Sequence, residues 1–111
     1  MRIGVPKEIK THEYRVGLTP ASVREYVSRG HNVIVETGAG AGIVADDAAY
    51  IQAGATIAAD AAEVFAKAEM VVKVKEPQPS EWVMLREGQI GGSFARAEAT
   101  QEKLMHAAMS A

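Results

Sequence analysis

Hydrophobic positions along this chain fall into short β-branched runs that alternate with segments of helical spacing. Glycine, proline and acidic residues separate the runs, as is typical of strands and helices that follow one another in turn. The runs predict strands at 2–5, 32–36, 55–58, 70–75 and 89–94. The segments with helical spacing predict helices at 20–30, 46–54, 60–67, 80–88 and 100–111. This alternation predicts an α/β fold: a partial doubly wound, Rossmann-like or flavodoxin-like, mostly parallel sheet with helices on both faces.

Polar side chains mark the helix starts. Thr19 precedes Pro20, which suits the first helical position because its missing N–H would have no partner there. Asp60 and Glu63 resemble a capping box. The predicted N-caps are Thr19, Asp46, Asp60 and Ser80.

A charged loop follows the first strand and contains Arg15. The carboxyl ends of parallel strands are where open α/β sheets bind ligands, and a guanidinium can grip a carboxylate with two hydrogen bonds. Arg15 is therefore a candidate ligand for a small carboxylate. The alternative is a structural ion pair with Glu8 or Glu13.

Lys75 lies in the same kind of place, at the end of the strand predicted at 70–75 and before Pro77. Together with Arg15 it would form a site for a small carboxylate or keto acid, in which Lys75 polarises a carbonyl. The alternative is a solvated lysine beside Glu76. Lys73, predicted to share a strand face with Lys75, is a competing candidate.

Two other features, the glycine-rich run and the histidines, give weaker indications of a functional site. The glycine-rich run at 37–42 has the spacing G-x-G-x-G rather than G-x-G-x-x-G, which favours a turn over a dinucleotide site. The histidines His12, His31 and His106 lack the spacing of zinc ligands, and only His12 lies near the proposed site, as an acid–base candidate.

Composition narrows the function classes. At 111 residues, with 48% hydrophobic and 23% charged residues, the chain suits one domain spanning 1–111. The net charge of −2 gives no reason to expect nucleic acid or an anionic membrane as a partner. The absence of cysteine excludes thiolate metal sites, and no run approaches the length of a membrane span. We expect a cytoplasmic protein with no metal site.

Several motifs together resemble a known family: Gly4-Val5-Pro6-Lys7-Glu8, Glu13-Tyr14-Arg15-Val16, Thr19-Pro20, Glu36-Thr37-Gly38-Ala39-Gly40, Ala53-Gly54-Ala55 and Val72-Lys73-Val74-Lys75-Glu76-Pro77. They resemble the N-terminal, substrate-side domain of alanine dehydrogenase, which is shared with the α subunit of NAD(P) transhydrogenase. The segments around Arg15 and Lys75 favour the alanine dehydrogenase branch.

The resemblance implies an NAD-dependent, homo-oligomeric enzyme that interconverts L-alanine and pyruvate. It implies that Arg15 and Lys75 hold the pyruvate carboxylate and oxygen, and that NAD binds in a later domain. We therefore expect the NAD-binding domain to be absent from this fragment, and the chain alone to bind no NAD and to be inactive. The alternatives are a transhydrogenase domain and a non-catalytic module for 2-oxo acid binding or oligomerisation.

The chain departs from the family pattern at two places. His12 stands where the family signature usually has Asn. The family's catalytic His is expected a few residues after Gln89-Ile90, and the corresponding position here is Arg96. The catalytic acid–base group is therefore left unassigned.

Overall fold

The β-branched runs form the strands of one all-parallel sheet. The structure is a computed structural model that describes residues 1–86 and 89–93. Its strands are β1 (Arg2–Val5), β2 (Asn32–Glu36), β3 (Thr56–Ala58), β4 (Met70–Lys73) and β5 (Ile90–Ser93). Its α-helices are α1 (Pro20–Ser28), α2 (Asp47–Gln52), α3 (Ala61–Lys67) and α4 (Pro79–Trp82), with a 3-10 turn at Ala41–Ile43. The sheet order is β3-β2-β1-β4-β5, which confirms the predicted α/β fold with a parallel sheet.

Alternate residues of the central strands point into two apolar layers, as the period of a strand requires. On one face, Ile3 and Val5 belong to a cluster that includes Val23 of α1 and Tyr50 of α2. On the opposite face, Ile34 packs with Val64 of α3. Helices therefore cover both faces of the sheet, as predicted.

Capping side chains fix the first three helices. The Thr19 hydroxyl accepts from the Ser22 N–H at 3.2 Å, and Asp46 accepts from the Ala49 N–H at 2.9 Å. Asp60 likewise accepts from the Glu63 N–H at 2.9 Å. These bonds satisfy N–H groups that a helix start leaves unpaired, and they confirm three of the four predicted N-caps.

The fourth helix and the fourth strand differ from their predicted bounds. The helix begins at Pro79 with Gln78 as its N-cap, so Ser80 is not the cap, and it ends at Trp82 rather than at 88. Pro79 occupies the first helical position, where a proline is favoured because it needs no N–H partner. The strand predicted to reach Lys75 ends at Lys73. The helix predicted at 100–111 lies outside the described residues. Among the described helices, none is long and apolar enough to cross a membrane.

Candidate functional site

The order of the strands places two charged loops side by side. From β1 the chain winds outward through β2 to β3 and then returns to place β4 on the other side of β1. β1 and β4 therefore flank the topological switch point, where ligands bind in open α/β sheets. The loop after β1 contains Arg15, and the segment after β4 contains Lys75.

Arg15 is held by Glu13 through one edge of its guanidinium. Arg15 Nε donates to Glu13 Oε2 at 3.0 Å, and Nη2 donates to Glu13 Oε1 at 2.9 Å. The Arg15 backbone N–H also donates to Glu13 Oε2 at 2.9 Å. Of the two structural partners considered above for Arg15, the structure selects Glu13.

This pair leaves the other edge of the guanidinium available. A guanidinium has five N–H donors, and Glu13 uses only Nε and one N–H of Nη2. No acceptor within residues 1–86 and 89–93 pairs with Nη1. The Arg15 side chain is 58% exposed, whereas that of Glu13 is 5% exposed. Glu13 therefore orients Arg15 from the protein side and leaves a two-donor edge towards solvent.

Lys75 approaches the same carboxylate from the other loop. Its Nζ lies 3.8 Å from Glu13 Oε1, the oxygen that also accepts from Arg15. Hydrogen bonding from Arg15, with a further contribution from the charge of Lys75, lowers the pKa of Glu13 to about 2. The same hydrogen bond raises the pKa of Arg15 above its usual value. The two predicted cations thus converge on one carboxylate that stays ionised at neutral pH.

A cavity of about 440 Å³ opens beside this pair, with Arg15, Glu13, His12 and Tyr14 in its lining. The His12 Nδ1 lies 3.4 Å from the Tyr14 hydroxyl. Lys75 is not among the lining residues, and it meets the other groups of the site through Glu13. Arg15 and Lys75 are therefore neighbours, but only Arg15 of the two lines the cavity.

Lys73 has a different environment from Lys75, contrary to the shared strand face that we predicted. Its side chain is 1% exposed, and its Nζ lies 3.1 Å from Glu8 Oε1 and 3.3 Å from Glu81 Oε2. A buried ammonium needs such partners, since burial of an unpaired charge is very costly. Lys73 is a buried structural cation, and Lys75 is the lysine of this pair that remains partly exposed.

The glycine-rich turn after β2 packs against the Arg15 loop. A Cβ at Gly42 would overlap the backbone carbonyl of Tyr14, and one at Gly40 would overlap that of Ala45. Protein backbone thus fills the space that glycines leave for a phosphate in a dinucleotide site. This turn therefore does not fit the phosphates of NAD, and it brings the loop at Tyr14 close to the sheet.

Buried Tyr50 fixes the far end of the same loop. Its hydroxyl donates to the Leu18 carbonyl at 2.8 Å, and burial raises its pKa to about 12. The loop is therefore anchored just before α1 begins, close in sequence to Arg15.

The sequence analysis did not identify Glu8 and Glu81 as residues that surround Lys73 beside the site. It offered Glu8 only as a partner for Arg15, and it gave Glu81 no role. No local spacing signals their burial, because Glu8 and Lys73 are 65 residues apart. Among the described residues, no group of acidic or histidine side chains could hold a metal ion. Arg96 and His106 lie outside the described residues.

The comparisons with known proteins show the family to which the chain is similar. The sequence profile of the family "Alanine dehydrogenase/PNT, N-terminal domain" matches residues 4–111. Alanine dehydrogenase of Methanococcus maripaludis is 56% identical over 90 residues, which cover 81% of this chain and 24% of that protein.

Two solved structures share the fold. An L-alanine dehydrogenase superposes with a TM-score of 0.83 at 46% identity, covering 96% of this chain and 30% of that one. A transhydrogenase from Sinorhizobium meliloti gives a TM-score of 0.78 at 32% identity, covering 84% of this chain and 27% of that one. The chain spans about a quarter of the length of the curated relatives it matches. It belongs to the family of alanine dehydrogenase and transhydrogenase N-terminal domains.

Proposed function

We propose that this chain is the substrate-binding part of an alanine dehydrogenase, which converts L-alanine, NAD⁺ and water into pyruvate, ammonia, NADH and a proton. In this proposal the open edge of Arg15 binds the carboxylate of pyruvate or L-alanine through two parallel hydrogen bonds. Lys75 donates to a second oxygen of the substrate and polarises the carbonyl of pyruvate.

One observation carries the proposal. Arg15 and Lys75, from loops on either side of the switch point, both approach Glu13 Oε1, at 2.9 and 3.8 Å. Arg15 and Lys75 carry two positive charges and Glu13 carries one negative charge. The cluster of these three side chains therefore keeps a net positive charge, which favours an external carboxylate. The exposed edge of Arg15 supports binding from the solvent side.

NAD would supply the hydride chemistry of such an enzyme. Because the glycine-rich turn does not fit the phosphates of NAD, we propose that NAD binds in another part of the enzyme. Arg15 and Lys75 orient the substrate, so that it is held in one position for the reaction.

The alanine dehydrogenase branch is favoured over the transhydrogenase branch by the higher identity, 46% against 32%, in the two structural superpositions. By the same family argument we propose one α/β domain over residues 1–111, a homo-oligomeric assembly and a cytoplasmic location. A non-catalytic module that binds 2-oxo acids is the second candidate, and it would use the same two cations.

A titration that varies the ligand tests the proposal. Pyruvate added to the ¹⁵N-labelled chain is expected to shift the side-chain Nε–H signal of Arg15, and acetate should do so more weakly. Acetone, which has the ketone but no carboxylate, should leave that signal unchanged. Equal responses to pyruvate and acetone, or no response to pyruvate, would contradict the proposed carboxylate site.

A further inference from the structure

Glu8 is a buried carboxylate that contacts the segment leaving β4. Its side chain is 2% exposed. Glu8 Oε2 accepts from the Val74 N–H at 2.9 Å, and Oε1 accepts from the Lys75 N–H at 3.2 Å. These two N–H groups belong to the two residues that directly follow Lys73, the last residue of β4. A side chain from the loop after β1 therefore fixes the backbone of Lys75.

Lys73 supplies the charge that makes this buried carboxylate tolerable. Its ammonium donates to Glu8 Oε1 at 3.1 Å, and charge-assisted bonds of this kind are among the stronger ones in proteins. Without a cation beside it, a carboxylate at this depth would carry a large desolvation cost. Lys73 thus keeps Glu8 available as an acceptor for the two backbone N–H groups.

Glu81 provides a built-in comparison. Its Oε2 also lies near the Lys73 ammonium, at 3.3 Å, and its side chain is 1% exposed. Its Oε1 accepts from the Gln78 N–H at 2.8 Å, whereas the Lys75 N–H donates to Glu8 and not to Glu81. The two carboxylates share one lysine, but Glu8 alone of the two contacts the backbone of Lys75.

We propose that Glu8 is a positioning residue for the substrate site: its carboxylate fixes the backbone at Val74 and Lys75 and so places the Lys75 ammonium against Glu13 and Arg15. The inference rests on the proposed function, which makes Lys75 a substrate ligand. Glu8 does not itself touch the substrate. It acts through the direction in which Lys75 leaves the backbone.

The test compares Glu8→Gln with Glu81→Gln in the 111-residue chain. Each variant removes one of the two buried negative charges beside Lys73. Glu8→Gln also puts an NH₂ group next to the three groups that donate to Glu8, which are the Lys73 ammonium and the N–H groups of Val74 and Lys75. Hydrogen exchange of the Val74 and Lys75 amides should accelerate about tenfold or more in Glu8→Gln, and pyruvate affinity should fall by a similar factor. In Glu81→Gln both quantities should change by less than about twofold, since the backbone bonds remain.

The outcomes separate this inference from the proposed function. If amide exchange at Val74 and Lys75 responds equally to both substitutions, or to neither, Glu8 has no special positioning role. If the wild-type chain fails to bind pyruvate while Glu8→Gln still frees these amides, the proposed function fails and the placement of Lys75 by Glu8 stands.

A measurement on the wild type decides the matter if Glu8→Gln does not fold. A scalar coupling across the hydrogen bond between the Val74 amide nitrogen and the Glu8 carboxyl carbon would support the inference. Its absence in a spectrum that detects such couplings elsewhere in the sheet would overturn it.

Discussion

Replacing Glu13 by Gln should remove a pH-dependent part of the stability of the fold. Glu13 has a pKa of about 2 in the folded chain against an ordinary value of 4.5, chiefly because Arg15 donates to its carboxylate. A carboxylate whose pKa is lowered by folding stabilises the fold at pH values above its unfolded pKa. That contribution is complete above about pH 4.5 and is lost as the pH falls towards 2.

The size of the effect follows from the geometry. A shift from 4.5 to about 2 corresponds to an upper limit of about 3 kcal/mol. Arg15 is 58% exposed, so solvent screening reduces this to roughly 1–2 kcal/mol. We expect Glu13→Gln to lose that amount at pH 7 and pH 5, and clearly less at pH 3.

Urea unfolding of the wild-type chain and of Glu13→Gln at pH 7, 5 and 3 measures the difference in their free energies of unfolding. Glu25→Gln is the matched control, because Glu25 of α1 pairs at 3.7 Å with Arg29, the residue after the helix, and both side chains are more than two-thirds exposed. It should cost only a few tenths of a kcal/mol at any of these pH values. A loss in Glu13→Gln that stays constant from pH 7 to pH 3, or no loss at pH 7, would refute the reasoning.

Three further predictions concern the surroundings of the site. Lys73→Met should cost about 3–5 kcal/mol in urea unfolding, because it leaves two buried carboxylates uncompensated, whereas Lys75→Gln should keep the stability within about 1 kcal/mol and lose pyruvate affinity; a loss of less than about 1 kcal/mol in Lys73→Met would contradict this. Gly42→Ala should cost about 1–3 kcal/mol and weaken pyruvate binding, because its methyl group overlaps the Tyr14 carbonyl; Gly30→Ala, in open space at φ +89°, should cost about 1 kcal/mol and leave binding unchanged. The 111-residue chain should bind pyruvate without oxidising NADH in the presence of ammonia, and measurable loss of NADH absorbance above a protein-free blank would overturn that expectation.

Much of the fold could be predicted from local signals. Thr19, Asp46 and Asp60 cap helices where the sequence places them, because the first turn of a helix has N–H groups that a nearby side chain can satisfy. The run at 32–36 is a strand with the predicted bounds. These features depend on residues a few positions apart, so the sequence carries their signal directly.

The errors arise where distant residues decide the outcome. The strand ends at Lys73 and not Lys75, and the next two N–H groups donate to the side chain of the distant Glu8. Lys73 is buried because Glu8 and Glu81, from two other segments, surround its ammonium. Neither fact has a local pattern.

The sequence predicted which two residues form the candidate site, Arg15 and Lys75, but not how their side chains are arranged around Glu13. Arg15 and Lys75 follow strands, which identifies the edge of the sheet on which they lie. Their approach to Glu13 depends on β1 and β4 being neighbours, and the sequence alone leaves the order of parallel strands open.

The measurement that tests the central claim most directly is pyruvate affinity in Arg15→Lys, followed by calorimetry or by chemical shifts. A lysine keeps the positive charge but cannot form two parallel bonds to a carboxylate, which should cost about 1.5–3 kcal/mol, or roughly 10- to 150-fold in affinity. Arg29→Lys changes an exposed arginine that directly follows α1 and pairs with Glu25, and this variant should bind pyruvate like the wild type. Unchanged affinity in Arg15→Lys would contradict the assignment of Arg15 as the carboxylate ligand.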